Sequence, residues 1–275
     1  MRALVLVIAL AMGVVAEGQG YWGVGDLFAL GGPREVALGG FLSAFPHFPE
    51  VLHANPAILG FADAISLGSS YSRLFGILDF YSIEAAGAGW GLGVYSLGSG
   101  PLTEDLAYTV YGVVLAVGLP LGEYLGIGAM WKGFFQSEPG EAFGWALDPA
   151  LVIRAGGVMV GMVLEDPVSV PVEYDGHREP WPGGVRGGVA VFGDPGEITL
   201  TAVANVHYGF TSRLDYAGGL EIRTDRWCLR LGYGSLGFSF GASIGSGGYK
   251  VHWGIRVHPR LPVTLTVGAS WEPGR

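Results

Sequence analysis

The sequence predicts an all-β chain: a transmembrane antiparallel β-barrel of about fourteen strands, preceded by a small hatch or plug segment. Three observations lead there. First, stretches such as Tyr249-Lys-Val-His-Trp-Gly-Ile-Arg-Val257 alternate apolar and polar residues with a period of two, the mark of an extended strand with one oily and one wet face. Second, the 275 residues are 50% hydrophobic and only 14% charged, with a mean hydropathy of +0.42. Soluble domains carry roughly 25% charged residues. Third, no amphipathic helical segment follows the strands to cover their oily faces, which leaves hydrocarbon as the medium that meets them.

From Ile65 onward the pattern gives fourteen strands, at 65–74, 77–87, 89–97, 107–119, 123–135, 143–154, 157–165, 184–193, 197–208, 213–223, 227–234, 238–245, 249–258 and 262–272. Membrane-crossing strands need about 9–11 residues, and these lengths bracket that span. The alternation is plain in Ile198, Leu200, Ala202, Ala204, Val206 and Tyr208 against Thr199, Thr201, Val203, Asn205 and His207. The connections supply an independent check. The longest, at 98–106, 136–142 and 166–183, all follow odd-numbered strands, whereas Ala155-Gly156 and Thr224-Asp225-Arg226 are short. A single-chain barrel with both termini in the periplasm alternates short turns and long outer loops in this way. Pro167, Pro171, Pro180 and Pro182 gather in the 166–183 connection, where no ladder hydrogen bond is lost. Leu106 to Gly122 is uncharged and also fits a marginal transmembrane helix, but Gly112, Gly118, Pro120 and its valines favour a strand.

Upstream, Met1-Arg2, the apolar run Ala3 to Val15 and the small-residue site at Val14-Val15-Ala16 read as a secretory signal peptide over 1–16. The apolar run is too short to span a bilayer as a helix. The expected organisation is signal peptide 1–16, hatch segment 17–63 and barrel 64–275. Within the second part, residues 24–63 lose the strand pattern, and Asn55-Pro56 is a turn initiator.

The run Ala37-Leu-Gly-Gly-Phe41, the turn Asn55-Pro56-Ala57 and Leu67-Gly-Ser-Ser-Tyr-Ser-Arg-Leu-Phe-Gly76 resemble the amino-terminal region of PorV/PorQ-like outer-membrane proteins, relatives of the FadL long-chain fatty-acid transporters. Between Phe41 and Asn55 the chain departs from that family, with Pro46-His-Phe-Pro-Glu50 in place of acidic, alanine-rich residues. The resemblance implies that Gly39, Gly40, Asn55, Pro56 and Ala57 belong to a hatch at the barrel mouth or within it. It implies passage of hydrophobic small molecules across the bacterial outer membrane. The alternative is a non-transporting interaction protein that presents cargo in a type IX-like secretion system, with the 166–183 loop as partner surface, or a structural barrel. Expected partners are therefore outer-membrane lipid and either a hydrophobic ligand or a secretion-system protein.

The net charge of −9 argues against nucleic acid, whose phosphates require a basic footprint. A single cysteine, Cys228, excludes an intrachain disulfide. The six histidines show no metal-ligand spacing, so no metal or cofactor is expected. Gly241-Ala-Ser243-Ile-Gly245 and Gly232-Tyr-Gly-Ser-Leu-Gly237 match a nucleophile elbow and a dinucleotide fingerprint. With 49 glycines, chance alone gives about 1.5 matches to the fingerprint, and neither match opens a helix, so no catalytic residue is expected. Strand parity puts Asp148, Arg154, Asn205, His207, Arg213, Asp215, Glu221, Arg223, Arg230, Lys250, His252 and Arg256 on wet, lumen-facing positions. Trp90, Trp145, Trp227, Trp253 and Trp271 fit an interfacial aromatic girdle.

Overall fold

Residues 27–28, 30–45, 52, 54–103, 106–138, 141–174, 176–210 and 213–273 are described by a computed structural model; the expected signal peptide, His47 and His53 lie outside them. The strands are β1 (Ser66–Leu74), β2 (Leu78–Gly87), β3 (Trp90–Thr103), β4 (Leu106–Leu121), β5 (Leu125–Glu138), β6 (Ala142–Ala155), β7 (Val158–Glu165), β8 (Val168–Val170), β9 (Val172–Tyr174), β10 (His177–Glu179), β11 (Gly184–Gly193), β12 (Thr199–Gly209), β13 (Arg213–Arg223), β14 (Trp227–Gly234), β15 (Gly237–Ser246), β16 (Tyr249–Val257) and β17 (Thr264–Trp271). All of them except β8, β9 and β10 form one antiparallel ring of fourteen strands. The ring closes where β1 pairs with β17, from Leu67 opposite Trp271 to Arg73 opposite Leu265.

The period of two turns directly into two faces. Along β14, Trp227, Leu229, Leu231 and Tyr233 point outward and are exposed, while Cys228 and Arg230 point inward and are buried. The same alternation repeats around the ring, so that Ile83, Val94, Leu115, Val160, Leu200, Val251 and Val267 build a continuous apolar outer surface. Trp90, Trp227 and Trp253 stand on that surface at 40–42% exposure. Such a surface is stable in hydrocarbon and would aggregate in water.

Every expected strand is present, and three connections differ from the sequence reading. β3 runs on to Thr103 and β4 starts at Leu106, so the segment 98–106 is mostly a hairpin extension with register shifts near Pro101. Likewise β5 and β6 reach Glu138 and Ala142 and replace most of the loop expected at 136–142. Both extensions exist because pairing continues beyond the apolar belt, where the two-period signal fades but ladder hydrogen bonds still form. The 166–183 connection is itself structured. β8 takes over the edge of β6, with Trp145 opposite Val170, and β9 pairs with β10. The chain is redirected at Asp166, which has φ 57 and is followed by Pro167. Leu106–Leu121 is a strand, not a helix, and no helix among the described residues is long and apolar enough to cross a membrane.

The N-terminal segment packs against the inner face. Helix α1 (Pro33–Ala37) rests on β14 to β17, and a 3-10 helix (Pro56–Phe61) rests on β3 to β6. The charged substitution Leu231→Arg, on the outer face near the middle of β14, is expected to destabilise the barrel by ~2–4 kcal/mol in urea-driven unfolding from lipid vesicles. A neutral result would mean that this face does not meet hydrocarbon.

Candidate functional site: a lumen with one apolar and one polar wall

The inner face is divided. On β1 to β6 the buried inward side chains are mostly apolar, among them Leu74, Phe80, Tyr95, Val114, Met130 and Phe134. They form one cluster with Leu27, Phe28, Leu52 and Leu59 of the N-terminal segment and with Val172 and Trp181 of the β7–β11 connection. On β12 to β17 the buried inward positions are largely hydroxyls, amides and charges, including Asn205, Glu221, Arg230, Ser243, His252 and Arg256. A run of rings, Trp181–Phe28–Tyr95–Phe80, lies on the apolar side with centroid spacings of 5.7, 6.1 and 6.1 Å. Dispersion and ring quadrupoles hold such a run together, and the Trp181 indole N–H donates to Val170 O at 2.9 Å.

The polar wall is built from side-chain networks. Glu221 receives Arg230 at 2.7 Å, Arg223 at 2.8 Å and Arg34 of α1 at 3.4 Å. Arg230 also donates to Ser243 Oγ at 2.6 Å, Ser243 lies 2.7 Å from His252 Nδ1, and His252 Nε2 lies 2.8 Å from Ser270 Oγ. The serine of the nucleophile-elbow pattern therefore does meet a histidine. Its oxygen accepts from a guanidinium, however, which withdraws the electron density an attacking oxygen needs. The far histidine nitrogen meets a hydroxyl where a triad places a carboxylate. This is the chemistry of a structural hydrogen-bond chain.

A second network crosses the β5, β6 and β7 side. Lys132 lies 2.8 Å from Asp148 and 2.6 Å from Asp166, and the Asp166 amide donates to Asp148 at 2.8 Å. Lys132 Nζ is also 5.4 Å from the Trp181 ring centroid and 5.8 Å from that of Phe28. Beside it, Glu165 lies 2.8 Å from His207 and 3.4 Å from Arg186, and His207 lies 3.7 Å from Asp215. These contacts tie the start of the 166–183 connection to the barrel wall.

The five residues expected in a hatch occupy defined positions. Asn55 caps the 3-10 helix by accepting from the Ala57 amide at 2.9 Å, and it donates to Ser43 O at 2.8 Å and Leu151 O at 3.1 Å. The Asn-Pro-Ala turn is therefore a capped helix start in which one amide side chain joins the segment to β6. Gly39 has φ 99, and a Cβ there would sit 2.7 Å from Tyr233 O, so only glycine fits both the conformation and the approach. Gly40 follows with φ 143. At Gly128 of β5 a Cβ would come 2.5 Å from the Ala57 amide nitrogen, so the wall is thinned to admit the 3-10 helix.

Of the other lumen candidates, Asp148, Asn205, His207, Asp215, Glu221, Arg223, Arg230, His252 and Arg256 take part in the inward networks or are buried inward. Asn205 accepts the Ser43 amide at 2.8 Å, and Arg256 donates to Val36 O at 3.4 Å, so the polar wall grips the N-terminal segment at two points. Arg154 shares the inward parity but is exposed at the end of β6, 5.9 Å from the Phe61 ring centroid. Lys250 is half-buried, and the Arg213 side chain lies outside the described residues. Sequence reasoning missed Lys132, Arg186 and Glu84, although each is a charge set among apolar and small neighbours within its strand and so had to face inward. It also missed Arg34 and Glu35, for which the irregular segment offers no parity.

Replacing the shared carboxylate with Glu221→Gln leaves three guanidiniums around a neutral amide. The variant is expected to lose ~3–5 kcal/mol of stability, read as a fall in the urea midpoint. A loss below about 1 kcal/mol would show that the network adds little to folding.

No family model matches this chain, and no curated protein matches it. Solved structures do. The CymD monoaromatic hydrocarbon channel is 14% identical, with 90% of this chain and 98% of that one covered and a TM-score of 0.58. The P. putida toluene transporter TodX is 11% identical, with 90% and 99% covered and a TM-score of 0.58. The Acinetobacter baumannii outer membrane protein Omp33 is 8% identical, with 78% and 99% covered and a TM-score of 0.50. At these identities the likeness is one of fold: the chain shares the closed antiparallel β-barrel of these outer-membrane proteins.

Proposed function

We propose that the barrel passes hydrophobic small molecules across the outer membrane, and that the N-terminal segment acts as its hatch. The observation that carries this reading is the asymmetry of the lumen. The apolar cluster runs from Phe75 and Leu78, beside the β1–β2 turn, past Tyr95 and Met130 to Ala116 and Leu59. Long connections mark the β1–β2 end as the outer one. A solute without hydrogen-bonding groups would travel along this wall, where it leaves no polar group unpaired. Water and ions would meet a polar wall whose central charges, Glu221 and its three arginines, already pair with one another. The hydrocarbon channel and the toluene transporter that share this fold support the reading.

A cargo-presenting role in secretion rests on the sequence resemblance alone. It needs the 166–183 connection as a free arm, and Asp166, Val172 and Trp181 are buried against the barrel. Transport is the reading the observations favour.

The test is uptake of toluene and of a fluorescent apolar dye by cells carrying the full chain in their outer membrane. The wild type is expected to exceed vector-only cells several-fold. Asn55→Asp keeps the cap but replaces both donors to Ser43 O and Leu151 O with a charge facing two carbonyls, and it is expected to raise uptake further. Wild-type uptake equal to that of the vector would overturn the proposal, and no response to Asn55→Asp would remove the hatch role.

A further inference from the structure

The periplasmic end of the polar wall holds a cluster that passage of an apolar solute does not use. Arg34, Arg223, Arg226, Arg230 and Lys250 line one crevice, with Trp227 and Ser243 beside them. Among the described residues that line it, none is a carboxylate. Glu221 sits behind, engaged by three of the guanidiniums, and the neighbouring acid Asp225 is exposed in the β13–β14 turn. The chain as a whole carries −9, so gathering five cations into one crevice runs against the average charge of the molecule.

Size and position narrow the ligand. The crevice encloses a cavity of about 10 Å3, room for about one water-sized group, which excludes a carbon skeleton. It admits one oxygen of an anionic head, whose other oxygens stay at the rim beside Arg226 and Lys250. Guanidinium forks match phosphate oxygens in pairs, and several converging cations suit a group with more than two acceptor oxygens. The crevice also opens toward lipid: Trp227 and Ile244 line it and are 42% and 69% exposed on the outer face. Indoles settle at the level of lipid headgroups, where phosphodiesters lie.

We propose that this crevice, at the periplasmic ends of β13 to β16, binds a phosphate group. The phosphate comes either from the headgroup of an inner-leaflet phospholipid or from free inorganic phosphate. Site and ligand are independent of the transport reading and stand or fall separately from it.

The experiment is native mass spectrometry of the full detergent-solubilised protein with added phosphatidylglycerol, paired with thermal unfolding in millimolar inorganic phosphate. The variant is Arg226→Gln with Lys250→Gln, two rim residues that make no ion pair with Glu221. Arg226→Lys with Lys250→Arg serves as the charge-conserving rescue, and Arg226→Gln alone, in the exposed turn, guards against misfolding. Retention of one phospholipid per wild-type barrel, weakened about tenfold or more in the double glutamine variant and restored in the rescue, supports the site and names the lipid as source. Stabilisation by inorganic phosphate in the wild type only, without lipid retention, supports the site with the free anion as ligand. Equal lipid retention in all variants together with no phosphate effect overturns the proposal.

Discussion

In hydrocarbon a backbone amide or carbonyl without a partner has no water to turn to, and each such group costs several kcal/mol. A sheet with two free edges is therefore untenable there, and the pairing of β1 with β17 is the contact on which the rest of the molecule depends. Once the ring is closed, each strand has only two places to put a side chain. The outer one accepts Leu, Val, Ile and aromatic residues, so most charges of the ring strands are driven inward, and the outward pair Arg73 and Asp79 meets beside the β1–β2 turn. Strand geometry thereby moves the charges of a charge-poor chain into its interior.

That interior then has its own problem, because a charge shut inside a barrel is as badly placed as one in lipid unless it finds a partner. The two walls answer it differently. The β12–β17 side pairs its charges and hydroxyls with one another and with the N-terminal segment, as when Glu221 gathers Arg230, Arg223 and Arg34. The β1–β6 side keeps few charges and is covered by Phe28, Leu52 and Leu59. One segment thus meets both walls, offering charge and backbone groups to one and apolar side chains to the other. Asn55, Gly39 and Gly128 set how closely it can approach.

The strands were legible because a period of two leaves a local trace that needs no knowledge of partners. β4 was the ambiguous one for a physical reason. Val110 and Val114 face the N-terminal segment while Tyr111, Leu115 and Val117 face lipid, so both faces are apolar and the alternation disappears. The extended hairpins beyond Leu97 and Phe135 escaped notice because they leave the belt that imposes the pattern. Within the site, strand residues such as Asp148, Asn205 and His252 could be assigned by parity. The Lys132 network could have been found the same way, from its isolation among apolar neighbours. The contacts of Arg34 could not, since its partner Glu221 is far along the chain and is brought near only when the ring closes. The meeting of Ser243 with His252 is of the same kind, a cross-strand pair set by the register of β15 on β16.

Closure can be measured by cross-linking in the outer membrane. Tyr71 and Val267 are register partners across the β1–β17 seam, and both stand on the outward parity. Ile83 and Val94 are an equivalent outward pair within the β2–β3 hairpin. With Tyr71→Cys and Val267→Cys introduced together, mild oxidation should form an intrachain disulfide as readily as it does in the control pair Ile83→Cys and Val94→Cys. A disulfide in the hairpin control with none across the seam would contradict the closed ring, and with it the account of how this chain lives in a membrane.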